Sequence, residues 1–211
     1  RRAMWQPQHS LNEENESRFD MVIEPGELAA DEDGGATRSH EKVEKVGPVL
    51  LCNPTDRLSR QDAAARLGVN AAIPVVALQL GSRQNFDLAP LRAELLRVLK
   101  TADVQVIEIE NPLAASSPHT ADDPPRIRIF PLYPITPSID LLITTAGYNA
   151  FHESVFGGIP TVFVPNQAAE MDDQHLRARY AEAAGLGLTL TLADTPRTEE
   201  VLARGMSPGF A

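Results

Sequence analysis

From Ile73 to Leu192 the sequence alternates short, nearly continuous apolar runs with segments of helical period, and this rhythm constrains the fold more than any other feature. The runs are IPVVALQL, VQVIEIE, RIRIF, IDLLITT, TVFVP and LGLTLTL. Between them, LAPLRAELLRVLKTA sets Leu88, Leu91, Leu95, Leu96 and Leu99 close to one helix face, and DDQHLRARYAEAAG stops at Gly185. Strands that are apolar on both sides belong inside a parallel sheet covered by helices on each face. The expected fold is therefore α/β, a doubly wound, Rossmann-like parallel sheet over residues 46–211.

The first 45 residues do not share this rhythm. FDMVIEPGE reads as a short strand stopped by Pro25-Gly26, and residues 28–45 are charged and Gly-containing with little to bury, as in a loop or linker. VGPVLLCNP is a second short apolar run, read as a strand at the entry to the domain. Ser59, with Asp62 three residues on and Gly68 at the end of SRQDAAARLG, carries the start and stop signals of a short helix. A further helix is expected over residues 149–157.

With 43% hydrophobic residues in 211 the chain can bury a substantial core. Nineteen Lys and Arg against 29 Asp and Glu give a net charge of −10, which disfavours nucleic acid and anionic membranes as partners; no local basic patch is read beyond short pairs such as Arg1-Arg2 and Arg126/Arg128. A single cysteine, Cys52, excludes an internal disulfide and a multi-cysteine metal site and fits a reducing, cytoplasmic location. No apolar run approaches the ~20 residues of a membrane helix. The chain does not begin with Met, so its true start is expected to lie upstream or to have been removed.

TTAGYNAFHE, residues 144–153, sits between two of the apolar runs. A strand that ends at a Gly and restarts as a helix leaves backbone N–H groups pointing forward, where an anion can sit. Gly147 opens that helix, Asn149 is placed to cap it, and Glu153 lies about a turn and a half further on, where a carboxylate could reach a pair of sugar hydroxyls. On spacing alone, Glu153 reads first as an ordinary helix-surface acid and His152 as a satisfied, partly buried histidine. A second loop, Gly81-Ser82 followed by Arg83, Gln84 and Asn85, follows another strand and offers close backbone approach and hydrogen bonds. By itself it reads first as turn chemistry.

GYNAFHESVFGGIPTVFVPN resembles the donor-nucleotide motif of GT-B glycosyltransferases, in particular the family 28 C-terminal half found in the cell-wall precursor N-acetylglucosaminyltransferases. It is also similar to the plant secondary-product glycosyltransferase box, onto whose core Gly147, Tyr148, Asn149, Ala150 and Glu153 fall without a gap. The resemblance implies a ribose-binding role for Glu153, a diphosphate-binding helix start at Gly147, Tyr148 and Asn149, a first glycine loop at Gly81 and Ser82, and donor-sugar contacts from Asp173 and Gln174. The plant box has a His where this chain has Thr145, which offers a hydrogen bond without positive charge.

The same resemblance implies a hexosyltransferase moving a sugar, with UDP-N-acetylglucosamine as the best single guess, to a hydroxyl acceptor. This chain would be the donor-binding half. Residues 1–45 would then be the remnant of an N-terminal acceptor domain plus linker, and the C-terminal end, SPGFA, would be truncated. The missing N-terminal domain would hold the acceptor, the catalytic base and any peripheral membrane association. His9 is the faint candidate for a base within this chain. No cofactor or metal is expected; Asp172 and Asp173 with His175 read as a sugar-contacting loop before a helix rather than as ligands. The alternatives are a nucleotide-sugar 2-epimerase of the same fold, a non-catalytic donor-binding subunit that needs a partner, and a doubly wound domain binding another phosphate ligand.

Overall fold

The computed structural model describes residues 19–32, 43–81, 86–112, 119–168 and 171–210. Its centre is a six-stranded, all-parallel sheet made of β3 (Val75–Gln79), β4 (Gln105–Glu110), β5 (Arg126–Arg128), β6 (Leu141–Thr144), β7 (Thr161–Phe163) and β8 (Leu188–Thr189), in the order β5-β4-β3-β6-β7-β8. The helices are α1 (Arg60–Leu67), α2 (Ala89–Leu99), α3 (Tyr148–Gly157), α4 (Gln174–Ala183) and α5 (Thr198–Gly205). The doubly wound parallel sheet expected from the alternating runs is present.

Each strand divides its side chains between two cores, as the period of two requires. Val76 and Leu78 of β3 join Leu91, Leu95 and Leu99 of α2 and Val201 and Leu202 of α5 on one face. Val75 and Ala77 join Ala63 and Leu67 of α1, together with Leu132 and Ile135, on the other. Leu91 and Leu95 are fully buried, each contributing about 1.5–3 kcal/mol relative to exposure. A smaller cluster around Phe151, Phe163, Ala178 and Ala181 joins α3 and α4 to the sheet.

Local signals fix the helix ends. The Ser59 hydroxyl accepts from the Asp62 N–H at 3.1 Å, and Gly68 stops α1 in the left-handed region. Arg60 then grips Asp140 through two hydrogen bonds of 2.9 and 2.8 Å, while Asp140 Oδ2 also accepts from Val75 N–H at 2.8 Å. That carboxylate ties α1 to the lower ends of β3 and β6.

Two findings differ from the sequence reading. The apolar run after residue 45 forms no strand: Val46, Val49 and Leu51 are exposed, and an apolar pattern without a covering layer has nothing to pair with. Residues 43–45, inside the stretch read as linker, form β2 (Val43–Lys45), which pairs in parallel with β1 (Val22–Glu24) in a separate two-stranded sheet. Beyond it the backbones approach so closely that a Cβ on Gly26 would lie 2.6 Å from the Val46 carbonyl oxygen. Arg126 and Arg128 are not a basic patch either, since Glu108 and Glu110 pair with them across β4 and β5. Among the described residues no helix is long and apolar enough to cross a membrane.

Candidate functional site: the crevice between β3 and β6

The chain leaves β3 towards β4 on one side and later returns to β6 on the other, so a crevice opens above their carboxyl ends. Gly81 closes β3 at φ +76°, a backbone conformation that glycine adopts without strain. A Cβ placed on Gly81 would lie 3.8 Å from Thr145 Cγ2, and one on Gly147 would lie 3.9 Å from Thr145 Oγ1 and 3.8 Å from Gln174 Nε2. Four of the residues singled out from sequence thus converge on one spot: Gly81, Thr145, Gly147 and Gln174. Ser82 and His9 lie outside the described residues.

The start of α3 carries the anion-binding potential of this crevice. Gly147 is the N-cap in extended conformation, with no side chain capping it, and the first intrahelical bond runs from Phe151 N–H to the Gly147 carbonyl at 2.9 Å. The amides of Tyr148, Asn149 and Ala150 therefore make up an open first turn. The expected cap from Asn149 is not made. Asn149 is already the second residue of the helix, and a capping oxygen must come from the residue before it. Thr144, the neighbour of Thr145, is committed to the sheet, its hydroxyl donating to the Gln79 carbonyl at 3.1 Å.

Glu153 is buried, 3% exposed, which removes the surface-acid reading. Its Oε2 accepts from the Leu132 and Tyr133 N–H groups at 2.7 and 3.1 Å, while Oε1 is buried with no hydrogen-bond partner. Burial raises the Glu153 pKa, and the two backbone donors offset that only in part. One oxygen is anchored and the other is left able to accept. A hydroxyl donor would satisfy it.

The remaining residues divide by atom. Tyr148 contributes its backbone N–H to the helix start, whereas its hydroxyl donates to the Gly26 carbonyl at 2.8 Å and accepts from Val49 N–H at 3.0 Å. Asp173 caps α4, accepting from Leu176 N–H at 3.2 Å. Gln174 accepts from Asn166 N–H at 3.0 Å through Oε1, which turns its Nε2 towards Gly147. Asp172 is paired with Arg177 and His175 faces a separate cavity near β8, so the Asp172, Asp173 and His175 side chains have three different surroundings. His152 is fully buried and satisfied, its Nδ1 2.8 Å from the Tyr148 carbonyl.

The sequence profile of the glycosyltransferase family 28 C-terminal domain matches residues 125–208, from β5 to α5. Over 149 residues the chain is 28% identical to a UDP-N-acetylglucosamine–N-acetylmuramyl-(pentapeptide) pyrophosphoryl-undecaprenol N-acetylglucosamine transferase of Acidothermus cellulolyticus, covering 66% of this chain and 40% of that protein. Among solved structures, spinosyn rhamnosyltransferase SpnG complexed with thymidine diphosphate has a TM-score of 0.57 at 18% identity, over 90% of this chain and 50% of that one. MurG of Acinetobacter baumannii has a TM-score of 0.52 at 18% identity, over 93% of this chain and 55% of that one. The fold is that of the GT-B glycosyltransferases, and the chain spans about half the length, or less, of these relatives. The matched residues include both α3 and Glu153, whereas β3 and Gly81 precede them.

The sequence reading missed a buried polar cluster beside this site. Arg177 of α4 pairs with Asp172 and, at 2.6 Å, with Glu27, and Glu27 Oε1 lies 3.3 Å from His152 Nε2. Burial alone would raise the Glu27 pKa, but the His152 contact and the Arg177 charge bring it below the usual carboxylate range. An arginine between Leu176 and Ala178 on a helix was the visible signal. Its partner 150 residues away gave none.

Proposed function

We propose that this chain is the donor-binding half of a glycosyltransferase that transfers a hexosyl group, N-acetylglucosamine from UDP-N-acetylglucosamine, to a hydroxyl acceptor. The observation that carries this reading is Glu153: a buried carboxylate, fixed through Oε2 and unsatisfied at Oε1, on the same helix whose open N-terminus faces Gly81 and Gln174. A ribose supplies hydroxyls for Oε1, a diphosphate takes the amides of Tyr148, Asn149 and Ala150, and Gln174 Nε2 is the donor left for the sugar. The name of the Acidothermus relative supports a uridine nucleotide, and the ligand of SpnG supports a nucleoside diphosphate in this kind of fold.

In the transfer, the acceptor oxygen bonds to the sugar C1 as the bond from C1 to the diphosphate oxygen breaks. The electron pair departs on the diphosphate, and the acceptor proton goes to a base. Amides aimed at the leaving diphosphate stabilise the charge that develops there, each well-placed group contributing a few kcal/mol. No metal is needed for that charge if the helix start and Thr145 meet it. The base, the acceptor site and any contact with a membrane surface belong, on this reading, to a further domain. The chain alone then binds donor without turning it over.

Calorimetric titration with UDP, UDP-N-acetylglucosamine, GDP and dTDP tests this. Selective binding of one nucleotide, weakened tenfold or more by Glu153→Ala, is the expected result. Absence of binding by all four to a folded chain would remove the donor reading. An epimerase of the same fold would be separated by assaying the full-length protein for conversion of the nucleotide sugar without an acceptor.

A further inference from the structure

The two pieces that shape the crevice, the start of α3 and the loop before α4, meet a third segment, residues 24–29, at a single buried guanidinium. Arg177 is fully buried. Its Nε donates to Glu27 Oε2 at 2.6 Å, and its Nη1 donates to the Ala146 carbonyl at 3.1 Å and also to Asp172 Oδ2. Ala146 immediately precedes Gly147, Asp172 lies two residues before Gln174, and Cζ stands 5.9 Å from the centroid of the Tyr148 ring. The same segment is held at two other points, Tyr148 Oη donating to the Gly26 carbonyl and Leu28 N–H lying 3.3 Å from His152 Nε2.

We infer that Arg177 is a positioning residue for the crevice, using its planar fork to fix the start of α3 and the Asp172–Gln174 loop against residues 24–29. A buried ion network is a costly way to join segments, since apolar side chains of similar volume hold them as well or better. What the fork adds is direction. One rigid plane sets the Ala146 carbonyl, and with it the Gly147 turn, relative to the Asp172 carboxylate and so to Gln174 Nε2. A lysine keeps the charge but, as a single ammonium on a flexible stem, lacks the planar fork.

The inference rests on the donor-site reading, and the experiment separates the two. Arg177→Lys and the neutral triple variant Glu27→Gln/Asp172→Asn/Arg177→Met are compared with the unaltered chain by thermal unfolding, by titration with UDP and dTDP, and by amide hydrogen exchange. The expected result is that the variants fold, bind the preferred nucleotide at least tenfold more weakly, and exchange the amides of Tyr148, Asn149 and Ala150 at least tenfold faster. The amides of Val76–Leu78 in β3 should exchange as before. The triple variant leaves no unpaired charge, so it keeps the test alive if Arg177→Lys does not fold. Folded variants with affinity within twofold and unchanged exchange at α3 would overturn the inference, and so would failure of both variants to fold, which would make the network a structural requirement. If the unaltered chain binds neither nucleotide, the donor reading falls and the exchange result alone decides the positioning role.

Discussion

Glu153 shows how one residue can be placed by sequence and explained only by structure. Its spacing from Gly147 is set by the helix and can be read directly. Its burial depends on the Leu132 and Tyr133 N–H groups, about twenty residues upstream, and no local pattern encodes that contact. The raised pKa has a consequence for stability. The unfolded chain loses this proton at about pH 4 while the folded chain keeps it longer, so Glu153 detracts from stability as pH rises from about 4 through the folded value. Glu153→Gln, which retains an acceptor for the two amides, should therefore gain stability relative to the unaltered chain as pH rises above the unfolded value of about 4 in urea unfolding. A difference that stays constant with pH would show that Glu153 titrates as an ordinary carboxylate.

Among the elements, the helices are legible where their ends carry chemistry. Ser59 and Gly68 bound α1, and the leucine stripe of α2 matches the buried Leu91, Leu95 and Leu99. The sequence marks α5 only weakly, because Val201 and Leu202 are its only large apolar side chains and it follows a 3-10 turn containing Pro196. The pairing of β4 with β5 is hidden for a different reason, since it is set by charge as much as by apolar pattern. Glu108 faces Arg92 of α2 and, at 3.0 Å, Arg126 of β5, and Asp123 takes the other side of Arg92 at 2.6 Å. Burial alone would raise the Glu108 pKa, but these arginines bring it below its usual value. Its contribution to stability is therefore present above the unfolded value, near about pH 4.3, and is lost as pH falls through the folded value. Glu108→Gln should cost roughly 1–3 kcal/mol at neutral pH, between the exposed and fully buried cases, and the cost should shrink on acidification. Chemical denaturation at neutral pH and at about pH 3 reads both.

At the scale of the molecule, the strand order β5-β4-β3-β6-β7-β8 creates the crevice, because successive strands run outward in both directions from β3 and β6. The alternation of apolar runs implies a parallel sheet and the motif marks one loop of the site. Neither shows that residues 24–29 pack onto α3 and α4 through Glu27, Tyr148 and Arg177, a contact built across more than a hundred residues. The proposed function stands or falls on whether a nucleoside diphosphate sits between Gly81, Thr145 and the start of α3. Titration of isotopically labelled chain with UDP, followed by amide chemical-shift mapping, decides it. Perturbation is expected at Gly81, Thr145, Gly147–Ala150, Leu132 and Tyr133. Perturbation confined to the cavity between His175 and Arg204 near β8, or none at saturating nucleotide, would contradict the placement.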